Sequence, residues 1–388
     1  MNIEYRPSLS RALSLATVLC LGAGALAAEN VLRPQFHGFA TQSFIVGSGN
    51  NYLGMDTTSG SAAWTEAAAN VNNQFTDNLR VGAQVHLMKL GRFGVWGMGV
   101  DWALVDYKPR QYLGVRAGIV KIRWGLYNDT QDADPGYLWS LLPEPMYAVD
   151  WRATNLAQTG AEIYGTTNQL GKLGSLDYSL YYGHYYYSRH DGYMEGFRQS
   201  GLSFANQPGG KTPGFDLRWQ TPVSGLRLGG SLMAYDANAR LFNGAFREPL
   251  TYWPTYYAQL DQRRFWLAGQ YMKLVQYTTI DMEGIGPSSS LSDTRAWFAL
   301  AGYHVSDKLQ AGVYYTRYVV ASAHDSSDPV NRYRDAVISV RYDINSNFYL
   351  KLEGHRINGT GLGFYTFNNP DGLKSRSNVL VAKLGFSF

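Results

Sequence analysis

The segment between Trp124 and Asn155 carries five carboxylates, Asp129, Asp132, Asp134, Glu144 and Asp150. Basic residues fall on the polar faces of alternating segments elsewhere in the chain: Arg80, Arg116, Arg218, Arg227, Arg341, Lys351 and Lys383. Lys121, Arg123 and Arg152 stand at the two roots of the acidic segment. Acids on the same polar faces are fewer: Glu66, Asp101, Glu162, Asp177, Asp216 and Glu353. Carboxylates opposed to cations across a narrow wet space would set up a transverse field, ordering water and favouring small polar or anionic solutes. The same charges would otherwise pair directly and hold the segment in place. Asp129, Asp132 and Asp134 offer hard oxygens suited to Ca²⁺, but no glycine stands mid-loop as an EF-hand spacing requires. The expectation is no metal and no cofactor.

Covalent chemistry finds little support. The seven histidines, His37, His86, His184, His190, His304, His324 and His355, are scattered, with no HExxH or paired ligand spacing. No GxSxG elbow, phosphate loop or dinucleotide fingerprint is present. The cluster from His184 to His190 reads as a strand end in an aromatic belt. No catalytic residue is expected, although a Ser or Asp brought to a histidine across the fold would make an enzyme.

The elements that must position these charges are strands. Leu79, Val81, Ala83, Val85 and Leu87 alternate with Arg80, Gly82, Gln84, His86 and Met88. Trp96, Met98, Val100, Trp102 and Leu104 repeat the pattern around Asp101, and Leu226 to Leu232, Ala336 to Tyr342 and Phe348 to Glu353 do so again. In each, the polar face carries charge, as a wet interior with an apolar exterior would need. Thr76-Asp77-Asn78, Ser306-Asp307-Lys308 and Asn345-Ser346-Asn347 are short turns. Longer polar stretches lie at 47–60, 189–213, 238–250, 281–293, 321–333 and 358–375. About sixteen strands result, starting near Phe36, Ala62, Leu79, Val95, Tyr112, Gln158, Leu173, Thr212, Gly225, Tyr252, Arg263, Thr294, Lys308, Tyr333, Asn347 and Lys374, with the phase near Phe36 and over 294–303 unclear. The segment after Trp124 breaks this rhythm for about thirty residues, and a loop of that length in a compact domain is usually functional.

Composition agrees. Gly at 42 and Tyr at 29 of 388 residues are enriched, while 16% charged residues is well under the usual quarter. Arg6 and Arg11 precede an apolar run ending in Ala25-Leu26-Ala27, which reads as a secretory leader, 1–27, cleaved after Ala27. Its removal takes Cys20, the one cysteine, so neither disulfides nor thiol chemistry is expected. The formal charge of +4 is too small to suggest nucleic acid as a partner. With no apolar run near 18 to 20 residues after the leader, the remaining way to span a membrane is a closed barrel, 28–388.

The stretch from Asn378 to Phe388 sharpens this. Leu380, Ala382, Leu384, Phe386 and Phe388 share one face, and Lys383, Gly385 and Ser387 the other. It resembles the closing strand of Gram-negative outer-membrane β-barrels, whose terminal aromatic strand is read by the barrel-assembly machinery. The segment Gly125-Leu126-Tyr127-Asn128 after a basic strand end, with Leu142-Pro143 and Tyr147 downstream, resembles general and phosphate-selective porins, whose early long loop folds inward and narrows the barrel. The resemblance implies an all-β transmembrane antiparallel barrel in the outer membrane, a homotrimer in contact with outer-membrane lipid. It would pass small hydrophilic solutes or ions by diffusion, with a mild anion preference given by the basic surplus. The alternatives are a barrel enzyme (lipid hydrolase or protease) and a binding or adhesion barrel with an occluded lumen.

Overall fold

In lipid every backbone N–H and C=O needs a partner within the protein, and a sheet closed on itself supplies one to each strand on both sides. The computed structural model describes residues 34–167 and 171–388, so the expected leader lies outside the described residues. These residues form one closed antiparallel barrel in which each strand is bonded to its neighbours in sequence. The first half comprises β1 Gln35–Ser48, β2 Ser61–Thr76, β3 Leu79–Leu90, β4 Phe93–Arg110, β5 Leu113–Lys121, β6 Ala157–Thr167, β7 Ser175–Tyr186 and β8 Gly209–Gln220. The second comprises β9 Leu226–Leu241, β10 Gly244–Asp261, β11 Phe265–Met282, β12 Gly286–His304, β13 Leu309–Val320, β14 Arg332–Asp343, β15 Phe348–Asn358 and β16 Arg376–Ser387. Closure comes from β1 against β16, in register from Phe39 opposite Ser387 to Ser48 opposite Asn378.

The alternation sorts as expected in β16. Leu380 and Leu384 are about half exposed on the outer face, while Lys383 points inward and is buried. Ile338, Val313, Leu352, Leu180 and Ile163 continue the exposed apolar exterior around the barrel, an area no water-soluble surface would present. The short turns close by the local bonds their residues offer: Leu79 N donates to Thr76 Oγ1 at 3.1 Å, Leu309 N to Ser306 Oγ at 3.1 Å, and Phe348 N to Asn345 Oδ1 at 2.9 Å.

Three expectations need correction. Residues 238–250 and 281–293 are not loops: β9 and β10 run up to Leu241 and Gly244, and β11 and β12 up to Met282 and Gly286. Beyond the lipid band the faces of β9 and β10 invert, with Ala237, Ala239, Leu241 and Phe246 buried inward and Asn238, Arg240 and Arg247 exposed, while the serines at 288–290 leave β12 no apolar face, yet the cross-strand ladder continues to Met282 opposite Gly286. In β4, Trp102 does not share the outer face with Val100. The register jumps so that Gln84 opposes Trp102 and Val85 opposes Val100, leaving Asp101 as the extra residue of a β-bulge. Asp101 and Trp102 then both face inward, with Asp101 accepting from Gln84 Nε2 at 3.0 Å. The unclear phase over 294–303 also has a cause, because its inward face is apolar: Ala296, Phe298 and Leu300 are buried against the inward loop, and Trp297 and Tyr303 face out.

The glycine and tyrosine enrichment has a single structural use at four inward positions. Gly114 stands opposite Tyr164, Gly214 opposite Tyr181, Gly229 opposite Tyr257 and Gly385 opposite Tyr349. Each ring lies over its glycine so closely that a β-carbon there would clash with ring atoms, an arrangement in which the aromatic covers backbone the glycine leaves bare. Three of the hydroxyls then reach carboxylates: Tyr164 to Asp106, Tyr257 to Asp216 and Tyr349 to Asp134. Arg116, Arg218 and Arg341 lie over the same three rings at 3.9, 6.0 and 4.5 Å.

Gly229→Val is therefore expected to destabilise the barrel by about 1–3 kcal/mol through overpacking. Gly230→Val faces outward, where the nearest atom to an added β-carbon is 3.4 Å away, and should be nearly neutral. Urea midpoints of the two variants, followed by heat-modifiable migration in gels, check the difference.

Candidate functional site

The chain leaves β5 at Lys121 and re-enters the wall at Ala157, and the segment between folds into the barrel. Its neck is tied by Asn128, whose Nδ2 donates to Ile122 O and Asn155 O, both at 2.9 Å, and by Ile122 N to Leu156 O at 2.9 Å. Inside, its apolar side chains pack on one half of the wall. Trp124, Leu126, Leu138, Trp139, Met146 and Tyr147 join Tyr181, Met233, Trp253, Met272, Phe298 and Tyr314 in one buried cluster. The Trp124 indole donates to Trp253 O at 3.0 Å, and Gln270 Oε1 accepts from Leu126 N at 2.9 Å and from the Tyr147 hydroxyl at 2.7 Å.

Charges tie it to the rest of the circumference. Asp134 sits between two inward lysines, with Lys383 Nζ at 2.7 Å and Lys351 Nζ at 2.9 Å, and it accepts from the Tyr349 hydroxyl at 2.7 Å. Three further ammonium hydrogens go to the carbonyls of Asp134, Trp139 and Ser140 at 2.9 to 3.1 Å, and the Lys383 ammonium also lies over the Trp64 ring at 3.9 Å. Burial alone would raise the Asp134 carboxyl, but the two ammonium groups outweigh it and hold its pKa well below the usual carboxylate range. One turn further on, Glu353 accepts from Ser140 N at 2.9 Å and Leu141 N at 2.8 Å. At the other root Arg152 reaches Glu66 at 2.5 Å, Asp101 at 3.4 Å and the His86 ring.

The expected site residues thus divide into two groups. Arg152, Lys351 and Lys383 are buried, with side chains 4%, 0% and 1% exposed, and each is paired within the wall–loop contact. Arg80, Arg116, Lys121 and Arg123 keep 37%, 24%, 24% and 17% of their side chains in contact with solvent. Arg80 and Arg116 share Asp106 at 3.0 and 3.1 Å, and Arg116 also reaches Glu162 at 3.2 Å. Lys121 meets Asp132 at 2.7 Å, and Arg123 and Arg218 approach Asp129 at 3.7 and 3.4 Å. Arg218 also pairs with Asp216 at 2.6 Å, and Arg341 with Asp343 at 2.8 Å. Arg341 further donates to Tyr137 O at 2.9 Å. Arg227 lies near the turn end of β9, opposite Gln220 and Gln259.

The acidic loop and basic wall therefore touch rather than face each other across a gap, because burial makes an unpaired charge far costlier than a paired one. Asp129, Asp132 and Asp134 each meet different cations, five in all, and among the described residues no three potential ligands converge as a metal site. Glu144 and Asp150 differ from the expectation, since neither meets a cation. Asp150 accepts from the Tyr365 hydroxyl, Glu144 is buried beside Asp150, and Asp191, in the next long loop, accepts from Thr154. Burial raises all three carboxyls, Asp191 to about 7. Of the histidines, His86 lies between Glu66 and Asp101 at 3.4 and 3.6 Å, and His355 between Asp335 and Glu353 at 2.8 and 3.1 Å, all on inward faces.

The tyrosine hydroxyls on Asp106, Asp216 and Asp134, and the amides of Gln84 and Gln270, belong to this site but carry no local signal in sequence. They become partners only once strand register is set.

No protein-family model matches the chain, and no curated protein sequence matches it. Solved structures do. OmpF of Salmonella typhi, in complex with daunomycin, aligns with a TM-score of 0.57 at 12% identity over 92% of this chain and 100% of that one. The outer membrane channel DcaP of Acinetobacter baumannii gives 0.56 at 9% over 92% and 97%. The anion-selective porin of Comamonas acidovorans gives 0.53 at 11% over 92% and 99%. OmpT of Vibrio cholerae, an outer membrane protein solved in a trimer form, gives 0.54 at 11% over 92% and 99%. The fold is that of a Gram-negative outer-membrane β-barrel.

Asp134→Asn leaves two buried ammonium groups without a counter-charge and should cost about 3–5 kcal/mol, read as a lower urea midpoint and faster proteolysis within 122–156. Because its folded pKa is depressed, the clamp's contribution is present above the ordinary carboxylate pKa of about 4 and is lost only as pH falls through the lower folded value. The contact of Asp150 and Asp191 with their neighbouring loops has the opposite sign. Their raised pKa values mean the folded state holds protons the unfolded state releases, so stability falls as pH rises from about 4 towards 7. Proteolytic nicking near residues 191–200 should be faster at pH 8 than at pH 5.5, and Asp191→Asn should flatten that dependence.

Proposed function

We propose that the protein is a porin, a passive diffusion channel for small hydrophilic solutes across the outer membrane, exported by the leader 1–27 and working without cofactor or catalytic residue. The observation that carries this reading is the segment 122–156, seated at mid-barrel and leaving a strip of solvent-contacting cations on one wall, Arg80, Arg116, Lys121 and Arg123. Cations on a low-dielectric wall raise the local concentration of anions. The path is mildly anion-preferring, and the buried pairs hold the loop rather than touch the solute. Likeness in fold to channels and porins supports this reading, and the trimer form of the Vibrio cholerae protein supports a homotrimer embedded in outer-membrane lipid. The strand β16 is the natural contact for the barrel-assembly machinery.

A second reading is a barrel whose outer loops bind a partner over a closed lumen. It draws on the way those loops are tied down: Asn51 N to Asn369 at 2.7 Å, Tyr52 to Tyr333 of β14 at 3.0 Å, and Tyr365 to Asp150 of the inward segment.

Planar-bilayer recording separates the two. Discrete conductance steps from folded protein are expected, and their absence would remove the channel reading in favour of the occluded barrel. In a salt gradient the reversal potential should show mild anion preference, and Arg116→Ala with Arg123→Ala should bring the anion-to-cation permeability ratio down to about one. An unchanged ratio would place the selectivity elsewhere.

A further inference from the structure

At its long-loop end β12 outruns its neighbour. It pairs with β11 as far as Gly286, opposite Met282, but β13 ends at Val320, opposite Thr294. Residues 286–293, about 24 Å of strand at about 3.4 Å per residue, therefore have a partner strand on one side only. Asp293 shows which backbone groups face the open side. Its N–H donates to Ser322 Oγ at 3.0 Å and its carbonyl accepts from Ala321 N at 2.7 Å, both just past the end of β13. The ladder to β11 runs without a register shift, and groups two residues apart along a strand point the same way. The N–H and C=O of Leu291 and Ser289, and the carbonyl of Pro287, thus face the open side, where no backbone group among the described residues meets them. The far edge of the same tall hairpins is closed. On β9, Arg240 O accepts from Ala205 N at 2.8 Å, Phe242 N donates to Ser203 O at 3.1 Å, and Asn206 Oδ1 accepts from Arg240 N at 2.6 Å.

An open edge is a template for another strand, and proteins usually blunt it with charged side chains or cover it. Residues 286–292 carry no charge, and 287–291 are exposed. Only Pro287 limits pairing, by removing one donor near the tip. Leu291 stands opposite Tyr277, the two side chains 49% and 44% exposed, so an apolar contact lies beside the free groups. Charge around the edge has one sign. The stretch 281–292, which includes the turn at its tip, and the loop 321–331 at its foot expose Asp281, Glu283, Asp325 and Asp328 and contain no lysine or arginine. A second copy in the same membrane fits poorly, because rotation about the membrane normal leaves strand direction unchanged. Two β12 edges would run parallel, the less stable ladder. The complement is an extended polypeptide with positive charge and alternating apolar side chains.

We infer that the free edge of β12 at 287–291 is a strand-addition site on the outer side of the membrane, where an extended basic peptide segment pairs antiparallel through the backbone of Leu291, Ser289 and Pro287. The site lies outside the lumen and does not depend on whether the barrel conducts.

The test adds a fluorescein-labelled heptapeptide of alternating lysine and valine to the refolded full chain in non-ionic detergent micelles and reads anisotropy. Two comparison peptides isolate the causes: one alternates glutamate and valine, and the other is the lysine–valine peptide fully N-methylated, which keeps charge and side chains but has no N–H to donate. Both should bind at least about 10-fold more weakly. Ser289→Pro removes one free donor without touching the β11 ladder and should weaken the lysine–valine peptide about 5-fold. Asp325→Asn/Asp328→Asn should weaken it about 3-fold, and Phe242→Ser, at the closed β9 edge, not at all. Heat-modifiable migration checks the fold of each. If Ser289→Pro does not fold, Ser289→Lys, which sets a repelling charge at the edge, carries the expectation at about 3-fold. With peptide bound, hydrogen exchange should slow within 286–292. Absence of binding at about 1 mM peptide, full-strength binding of either comparison peptide, Ser289 variants within about twofold of the parent, protection only elsewhere, or barrel pairs that Ser289→Pro disperses would each overturn the proposal.

Discussion

A strand in lipid has no water to satisfy its backbone, so its hydrogen bonds must go to other strands until the sheet meets itself. Everything else in this barrel follows from meeting that condition sixteen times. The junction of β1 with β16 completes the ring, and once it is closed every side chain faces either lipid or lumen. Period-two alternation is how the chain writes that choice. The exterior is accordingly a band of leucine, isoleucine, valine and tyrosine, and polarity is confined to the inside and to the loop ends.

Closure creates a second problem. A barrel of this size is too wide for wall side chains to fill its interior, so something must either leave it wet or occupy it. Here the segment after β5 occupies much of it, carrying an apolar cluster to one side and a charged edge to the other. Its seating combines two kinds of energy with different tolerances. The aromatic contacts are non-directional and accept small shifts. The Asp134 clamp with Lys351 and Lys383 does not, because a buried ion pair is worth having only when its remaining donors also find acceptors. That explains why the ammonium groups use the loop's own carbonyls as well as its carboxylate. The Gly–Tyr pairs serve the same end, making room at the wall for rings whose hydroxyls complete the carboxylates' hydrogen bonding.

Much of this was legible in the chain. The strand start at Leu79 follows from alternation and turn chemistry, those expected near Asn347 and Lys374 fall within two residues of the observed Phe348 and Arg376, and the inward loop follows from its failure to alternate. The tall hairpins at 241–244 and 282–286 were not legible, since in the first the apolar residues turn inward and the polar ones outward, the reverse of the lipid band, and in the second the serines of β12 leave no apolar face to read. Nor was the bulge at Asp101, because one extra residue reverses the face of all that follow and shows only in the pairing partner. Half of the charged site was visible as charge on inward faces. Which of those charges are dry and which wet was not.

By itself, then, the sequence determined the outline of the architecture: a closed antiparallel barrel of about sixteen strands, the faces of most of them and the position of the unusual loop all rest on local periodicity, which each segment carries on its own unless a bulge or an apolar inner face disturbs it. The tertiary structure alone decided that the carboxylates at 129–134 touch the basic wall directly, that Glu144 and Asp150 meet no cation, and that Arg80, Arg116, Lys121 and Arg123 stay in contact with water. Partnership and burial are relations between segments hundreds of residues apart, such as Asp134 and Lys383, and no local pattern encodes the distance between them.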